Sequence, residues 1–514
     1  MNNTITDGIY RFGKGIYDHE LSAVSVLILT FLANLLIVNA FRQRKTKRYA
    51  NGPWGLPIIG HLPFFGQSPP ETFAKWRAQY GDVFRIRLGS WNAVIVNGYN
   101  AVKEASEKDD DFSGRPAFVT QDVLKSVNGD VSLAFGPFND TYLYHRKLTA
   151  IALRMFTNRG DNLTEELIIE ESNRLVDTLL QKAGESTERN VKPDIQFAVG
   201  SIIYQILYGR GKQLDIENDL KRMVEGTNEF TKFTGNGNPF DVMPWLQYVM
   251  PGRVKEFKSI LSEGVGMRLQ QVQEHLETYS ESNIRDVADA LIAADIGEND
   301  ATGPRITRSR ILTTLADLQG AGFDTTNKSL QWLTLYMASY PEVQERVHDE
   351  IDDVIGSEKH IRYSDHNKLV YTEATYYEVM RKAAIAPFGL PKCATTDTTL
   401  DGFNVDKNTV VFFNLHSISH DKVFWGDPEE FRPERLITKD NTLDTAKCGH
   451  ILPFGLGRRK CVGEFLAKKE IFILFATLMQ RCKIVNPEGE TYDLQAVPGL
   501  VYSPKDFKVL VQER

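Results

Sequence analysis

The stretch that decides the fold is Phe454-Gly-Leu-Gly-Arg-Arg-Lys-Cys461-Val-Gly463, and the residues after it, 464–473, predict a helix. Glycines on both sides of the cysteine let the backbone turn sharply and approach a flat ligand closely. Cys461 stands just ahead of the helix N-terminus and directly after three cationic residues. Both features favour the thiolate, so we predict a lowered pKa for this thiol.

Iron ligation is the chemistry that such a loop suits. A thiolate held on a glycine-rich loop is the axial ligand of haem iron in proteins that split O–O bonds. The alternative is that Cys461 is a small buried apolar residue, as a lone free cysteine usually is. The full ten-residue pattern favours the ligand, and it predicts Cys461 as the metal ligand.

Composition excludes several classes of protein. The chain has 514 residues, of which 42% are apolar, so it is not a disordered chain. Its 4 cysteines show no C-x-x-C spacing, which argues against a disulfide scaffold or a structural zinc module. The net charge of −7 argues against nucleic acid as a partner. No linker interrupts residues 61–514, which predicts one large domain.

The N-terminal segment predicts a membrane anchor. Residues 21–41 carry no charge, and at about 1.5 Å per residue they reach across a hydrocarbon core of roughly 30 Å. A cleaved signal peptide is the alternative, but residues 1–20 lack its positive region. Basic residues follow the span, which indicates a short lumenal N-terminus (1–20) and a cytosolic body. Residues 42–60 form a basic, Pro/Gly-rich hinge.

The body predicts a mainly α fold with a small β portion. Alternation over residues 83–97 around a Gly-Ser turn indicates a hairpin, and residues 145–350 show helical periodicity. Within that region, 307–339 predicts one very long helix. Residues 409–414 and 507–511 predict late strands.

The long helix contains Gly320-Ala-Gly-Phe-Asp-Thr-Thr326, which is poor helix material. Small residues here would open a groove that admits O₂, and the neighbouring Asp324 and Thr325 would relay protons. The structural alternative is close helix packing at Gly322 beside a solvated Asp324. Together with the cysteine loop, the pattern favours the functional interpretation.

The pattern F-G-x-G-x-R-x-C-x-G resembles the signature of the cytochrome P450 superfamily, and the chain is similar to this family throughout its body. The resemblance implies haem b (iron protoporphyrin IX) as cofactor, oxygen activation by Asp324 and Thr325, and a buried ion-pair network that supports the cysteine loop. It places Tyr142 and Lys392 at positions where the family usually has Trp and His or Arg. The residues that it assigns to cofactor binding are Cys461, Arg459, Arg146, Lys392, Phe454, Gly455, Gly463, Ala321 and Gly322; those of the supporting network are Glu378, Arg381 and Arg435.

Four short segments, 112–116, 235–239, 322–325 and 395–403, resemble the animal branch that contains aryl hydrocarbon hydroxylases and steroid 17-alpha-hydroxylase/17,20-lyase. Phe323 and the segment 395–400 suit the first better. We therefore expect the Phe323 ring to project over the haem and to narrow the pocket for flat aromatic substrates. Other phenylalanines are candidates for lining the pocket, although such residues are more often core: Phe230, Phe233, Phe240 and Phe388.

The resemblance implies a haem-thiolate monooxygenase that inserts one oxygen atom from O₂ into lipophilic substrates, aromatic xenobiotics or steroids, at the endoplasmic reticulum membrane. The alternatives are a haem-thiolate sensor or haem carrier without turnover, and a peroxide-rearranging isomerase. No flavin or nicotinamide fingerprint is present, so NADPH electrons would come through a flavoprotein reductase, with cytochrome b5 as a further candidate partner. The basic residues expected to face the reductase are Arg458, Lys460, Lys468, Lys469, Arg481 and Lys483.

Overall fold

The computed structural model describes residues 31, 48–157, 163–183, 188–209, 213–234, 238–296, 306–488 and 490–514. The predicted anchor, residues 21–41, lies outside these ranges except for Phe31. Within the described ranges, no helix is both long and apolar enough to cross a bilayer. The anchor therefore stays a prediction.

Helices dominate the described chain, as the periodicity predicts. In order they are α1 (Pro69–Tyr80), α2 (Tyr99–Glu107), α3 (Asp109–Phe112), α4 (Val119–Asn128), α5 (Asp140–Thr157), α6 (Leu163–Ala183), α7 (Lys192–Tyr208), α8 (Gln213–Thr234), α9 (Pro239–Val242), α10 (Leu246–Val249), α11 (Pro251–Thr278), α12 (Val287–Ile296), α13 (Arg308–Ser339), α14 (Pro341–Val354), α15 (Val370–Ala383), α16 (Leu415–Ser419), α17 (Lys422–Trp425), α18 (Thr445–His450) and α19 (Glu464–Arg481). Short 3₁₀ turns occupy Leu62–Phe64, Tyr363–Asn367, Pro433–Leu436 and Gly457–Arg459.

The β portion is small. Strands β1 (Val83–Leu88) and β2 (Trp91–Val96) form the predicted antiparallel hairpin, and the sheet continues through β6 (Val410–Phe413) to β3 (Lys392–Cys393). β6 pairs parallel to β2 and antiparallel to β3. Three two-stranded ladders complete it: β4 (Thr398–Leu400) with β5 (Phe403–Val405), β7 (Cys482–Val485) with β10 (Leu510–Glu513), and β8 (Ala496–Val497) with β9 (Ser503–Pro504).

The last strand begins later than predicted, at Leu510 rather than at 507. Val509 instead makes an isolated bridge with Arg189, exchanging backbone hydrogen bonds of 3.0 Å in both directions. Its backbone groups are therefore satisfied by the segment before α7, and only the residues that follow can pair with β7.

Helix α13 is the central element of the core. Thr307 caps its start, accepting a hydrogen bond from the backbone N–H of Arg310 at 3.2 Å. The helix packs against α7, α11, α15 and α19, and most of its residues are buried. A long helix with nearly complete burial needs apolar side chains around its circumference. A solvent-accessible position in the middle of this helix therefore marks an interior space.

Candidate functional site

The cysteine loop is a tight turn that ends at α19. The backbone N–H of Cys461 donates to the carbonyl of Phe454 at 2.9 Å, which closes the loop. Gly455 and Gly457 have φ values of 69° and 75°, in the left-handed region that glycine adopts without strain. A side chain at Gly457 would also collide with the carboxylate of Asp109. These two positions explain why the loop requires glycine.

The Cys461 thiol lines an interior space. The residue is accessible to solvent, yet burial is the largest influence on its thiol and raises the pKa. A hydrogen bond from the Gly463 backbone and the charges of Arg146 and Lys460 act in the opposite direction and are outweighed. The predicted lowering of the pKa was therefore wrong for the protein without metal. An accessible atom among dense protein atoms marks a cavity inside the fold.

Four cations surround the loop. Arg459 donates to the carbonyls of Ser113 and Gly136, both at 2.9 Å, and its guanidinium lies 3.8 Å from the Tyr142 ring centre. Arg146 donates to the carbonyl of Lys460.

The other two cations extend from neighbouring segments. Arg115 donates to the carbonyls of Ala134 and Pro391, both at 2.8 Å. Lys392, on β3, reaches the carbonyl of Leu456 at 3.5 Å. The sequence interpretation missed Arg115, although it lies in the quoted segment 112–116; only the fold brings it within electrostatic range of Arg459.

This group of cations fits the carboxylates of a haem. Within the described residues, Arg115, Arg146, Lys392 and Arg459 form no ion pair with a carboxylate. Burial, and then the charge of Arg459, lower the pKa of Arg115 to about 9. Burial and the same neighbouring cations lower the pKa of Lys392 to about 8. Asp109 is the carboxylate that opposes this lowering of the Lys392 pKa, and it is outweighed. Buried like charges that exceed their counter-charge are unfavourable, and a dianionic ligand with two propionates would offset this. The donor set therefore matches the cofactor that the cysteine implies.

One face of α13 opens to an interior space. Ala321 is exposed in the middle of this buried helix, and a side chain at Gly320 would meet no atom within 4 Å. The Thr325 hydroxyl, one turn further, donates to the carbonyl of Ala321 at 2.7 Å. Gly322 has a different role, because a Cβ there would lie 2.7 Å from Ile203 of α7. Its missing side chain serves helix packing, so the structural alternative holds at Gly322 and the open groove lies at 320–321.

Asp324 forms a buried ion pair with Lys328. Its Oδ2 accepts from the Nζ of Lys328 at 2.9 Å, and both side chains are about nine-tenths buried, at 10% and 11% exposure. Burial raises the pKa of Asp324, and the charge and hydrogen bond of Lys328 oppose that rise. Lys328 also donates to the carbonyl of Val501 at 3.1 Å. Sequence reasoning missed Lys328, although the i,i+4 spacing to Asp324 on a helix was a visible signal.

Phe323 does not line the open face. Its side chain is fully buried in the main core, and a Cβ at Gly200 of α7 would lie 3.7 Å from its ring. Two residues along a helix correspond to a rotation of about 200°, so Phe323 points away from the face that carries Ala321 and Thr325. The expectation that this ring narrows the pocket was wrong. Of the other aromatic candidates, Phe230, Phe233 and Phe240 form an apolar cluster with Phe257, and Phe388 joins the cluster beside the sheet.

Glu378, Arg381 and Arg435 come together in the interior. Arg381 binds Glu378 with two hydrogen bonds of 2.8 Å, and Arg435 donates to the same carboxylate at 3.0 Å. Glu378 and Arg381 have no exposed surface. Arg381 also donates to the carbonyls of Ser419 and Pro428, at 2.8 and 2.9 Å. The network therefore joins α15 to the irregular chain that precedes the cysteine loop.

The predicted basic surface is reduced by one residue. Lys469 is buried and pairs with Glu165 at 3.2 Å, so it does not face a partner. Lys460 and Lys468 both pair with Glu464, at 2.6 and 3.0 Å. The other three are at least one-third exposed and lie near single carboxylates: Arg458, Arg481 and Lys483.

Comparison with known proteins places this site in a family. The cytochrome P450 family model matches residues 51–511. Cytochrome P450 1A1 of Mesocricetus auratus is 33% identical over 494 residues, which cover 93% of this chain and 94% of that protein. Cytochrome P450 1A2 of Felis catus is 32% identical over 492 residues, covering 93% and 95%, and cytochrome P450 1A1 of Homo sapiens is 32% identical over 501 residues, covering 94% and 97%. These relatives confirm the resemblance to the aryl hydrocarbon hydroxylase branch. The chain belongs to the cytochrome P450 family and is a monooxygenase of that family.

Proposed function

We propose that this protein is a membrane-anchored haem-thiolate monooxygenase that oxidises lipophilic substrates with electrons from NADPH, delivered by a separate flavoprotein reductase. One observation carries the proposal: an accessible thiol lies inside the fold beside four cations that have no carboxylate partner among the described residues. When bound, the haem supplies the chemistry of O₂ activation.

The residues of the chain hold and surround this cofactor. Cys461 would ligate the iron, and Arg115, Arg146, Lys392 and Arg459 would bind the propionates. The Glu378–Arg381–Arg435 network would fix the chain that leads into the loop.

The open face of α13 would admit O₂ and substrate. Gly320 and Ala321 leave space there, and the Thr325 hydroxyl stands at its edge. Thr325 would hold a proton at Oγ1 for delivery into the groove, and Asp324 would replace it, with its carboxylate held by Lys328. A carrier or sensor without turnover has no use for these groups.

Electron transfer would take place at the surface around the start of α19. Arg458 lies within the 3₁₀ turn of the cysteine loop and Lys460 follows it, and their side chains are 46% and 44% exposed. A reductase with an acidic docking surface would be steered to these charges, and cytochrome b5 would use the same face.

Apolar surface near the hinge supports membrane attachment. The backbone N–H of Ser90 donates to Val242 at 2.7 Å and that of Gly89 donates to Ile59 at 3.2 Å, which brings the segments around residues 58 and 242 to the same hairpin tip. The exposed large apolar side chains of these segments are Trp54, Ile58, Phe64, Trp245, Tyr248, Val249 and Met250. A contiguous apolar surface beside a predicted span would rest on the endoplasmic reticulum membrane.

The test is the absorption of the reduced, CO-bound protein. Cys461→Ala should abolish the red-shifted band that a thiolate ligand produces, whereas Cys393→Ala, which removes a buried thiol whose pKa burial raises to about 11, should keep it. A band that survives in the Cys461 variant and disappears in the Cys393 variant would reject the ligand and the proposed site.

A further inference from the structure

Helix α11 carries an arginine that the proposed function does not use. Arg268 is 8% exposed, its buried Nε has no hydrogen-bond partner, and within the described residues its guanidinium forms no ion pair. Arginine stays protonated in proteins, so it cannot escape a buried position by losing its charge. Buried charges are normally paired. A buried guanidinium without a partner therefore indicates a site for an anion.

Gly264 shows where this guanidinium lies. A Cβ at Gly264 would lie 3.1 Å from Nη1 and 3.6 Å from Nη2 of Arg268. The side chain therefore folds back along α11 over the preceding turn, as long side chains on helices do. Because Gly264 has no side chain, the guanidinium occupies the space that a larger residue would fill. The position is consistent with a cationic lining on the inner side of α11, which packs against α13.

Helix α13, against which α11 packs, has one face that opens to the interior space. Asp317, Ala321 and Thr325 follow one another at intervals of four residues and share one side of the helix. Burial lowers the pKa of Arg268, while the charges of Tyr208 and Asp317 oppose that change, so the guanidinium lies within electrostatic range of Asp317. Four residues, or about 6 Å along the helix axis, separate Asp317 from Ala321.

Asp317 offsets part of the burial penalty of Arg268 through its charge but does not bind the guanidinium directly. Its carboxylate accepts from the Ser132 hydroxyl at 2.8 Å and from the backbone N–H of Ala134 at 3.2 Å, and no ion pair joins it to Arg268. Those hydrogen bonds hold Asp317 to the segment after α4. The positive charge of Arg268 is left for a ligand that enters along the open face.

We propose that Arg268 binds the carboxylate of the substrate, and that the lipophilic substrates of this enzyme are therefore amphipathic carboxylates whose apolar chain extends along the open face of α13. The proposal rests on the proposed function and names its substrate class. A guanidinium pairs with a carboxylate by two parallel hydrogen bonds, which fixes the orientation of the ligand. A neutral ester of the same shape can only accept weaker hydrogen bonds from it.

The test compares dodecanoate with methyl dodecanoate by isothermal titration of the full-length holoenzyme in detergent. We expect the acid to bind about tenfold more tightly or better than the ester, because hydrogen bonds to charged groups exceed neutral ones. Arg268→Met should remove this preference, and Arg268→Lys should restore part of it. Arg253→Met, which removes an exposed arginine of the same helix, should leave the preference intact.

Equal affinity for acid and ester in the unmodified holoenzyme would overturn the proposal, even if the Arg268 variants fail to fold. A preference that persists in Arg268→Met would assign the carboxylate to another residue and would overturn it as well. Failure of the proposed function is distinguishable, because it appears as loss of the thiolate-type CO band or of NADPH-dependent turnover for any substrate.

Discussion

Lys328 Nζ lies 2.9 Å from Asp324 Oδ2, one turn along α13, and the two side chains form a buried ion pair. Asp324 immediately precedes Thr325 in the sequence. Burial alone would favour the neutral acid, because it raises the pKa of Asp324. The ammonium group opposes this rise and orients the carboxylate. Lys328 is thus a positioning residue for the acid of the proposed relay.

Lys328→Met should destabilise the folded protein by about 3–5 kcal/mol, because it leaves a buried carboxylate without its partner. Asp324→Asn in the same background should recover part of the loss, since the remaining group is then neutral. The measurement is the free energy of unfolding of the holoenzyme in denaturant for the two single variants and the double variant.

The pH dependence of the Lys328→Met variant has a definite sign. Without the ammonium group, burial raises the pKa of Asp324 unopposed, so the native state binds a proton more readily than the unfolded state. The penalty should therefore be largest near neutral pH and should shrink as the pH falls towards the ordinary range of Asp. The measurement is the free energy of unfolding at neutral pH and near the ordinary pKa of Asp. A loss of stability that is the same at these two pH values would contradict the buried-charge explanation.

Thr325→Ala should leave haem binding intact and divert NADPH electrons from product into hydrogen peroxide. The reason is that the variant loses the hydroxyl at the edge of the groove, while the carbonyl of Ala321 merely loses one hydrogen bond. Ser329→Ala is the matched control, since its hydroxyl donates to Thr325 O at 2.9 Å in the same way but is buried. Unchanged product per NADPH in Thr325→Ala would remove the hydroxyl from the relay.

The sequence predicts the elements better than the directions in which their side chains point. The long helix was predicted over 307–339 and occupies Arg308–Ser339, because apolar periodicity and the Thr307 cap are local signals. The orientation of the Phe323 ring was predicted wrongly. A motif match identifies neighbours in the sequence, but residues two positions apart on a helix point to opposite sides.

Groups that act through tertiary contacts left weaker signals. The spacing of Lys328 to Asp324 was readable, but whether the pair is buried depends on elements far away in the chain. Arg115 comes within electrostatic range of Arg459 only after folding. Arg268 lies in an ordinary amphipathic pattern, and its lack of an ion-pair partner among the described residues becomes visible only in the folded structure. The direction of the Cys461 pKa likewise depended on burial, which the loop sequence does not encode.

Haem retention should weaken above about pH 8. Burial and the charges of Arg115 and Arg459 lower the pKa of Lys392 to about 8 in the protein without cofactor, with Asp109 as the opposing charge. A bound propionate favours the charged lysine, so cofactor binding is accompanied by proton uptake in the range between this pKa and the ordinary value of Lys. Affinity then falls as the pH rises through that range.

The measurement for this prediction is the rate of haem transfer to apomyoglobin between pH 7 and pH 10. The unmodified protein should release haem faster at the upper end, and Lys392→Met should release it faster throughout with a flatter profile. The protein without cofactor should show the opposite trend in stability, gaining as the pH rises from about 8, because its unfolded state then binds more protons than its native state. A profile that Lys392→Met leaves unchanged would assign the pH dependence to another group.

Deletion of residues 1–41 should yield a folded, haem-containing protein that still binds phospholipid vesicles weakly. The described core contains its own apolar clusters, so the cofactor site should form without the anchor. Residual binding should come from the apolar surface near the hinge, where Tyr248 and Val249 are 81% and 67% exposed. Burying such side chains in the lipid interface contributes about 1.5–3 kcal/mol for each large apolar residue.

Adding Tyr248→Asp and Val249→Asp to the truncated chain should therefore abolish sedimentation with vesicles, whereas the exposed substitution Val423→Asp, on α17, should not. Loss of haem from the truncated chain would show instead that the N-terminal segment belongs to the fold.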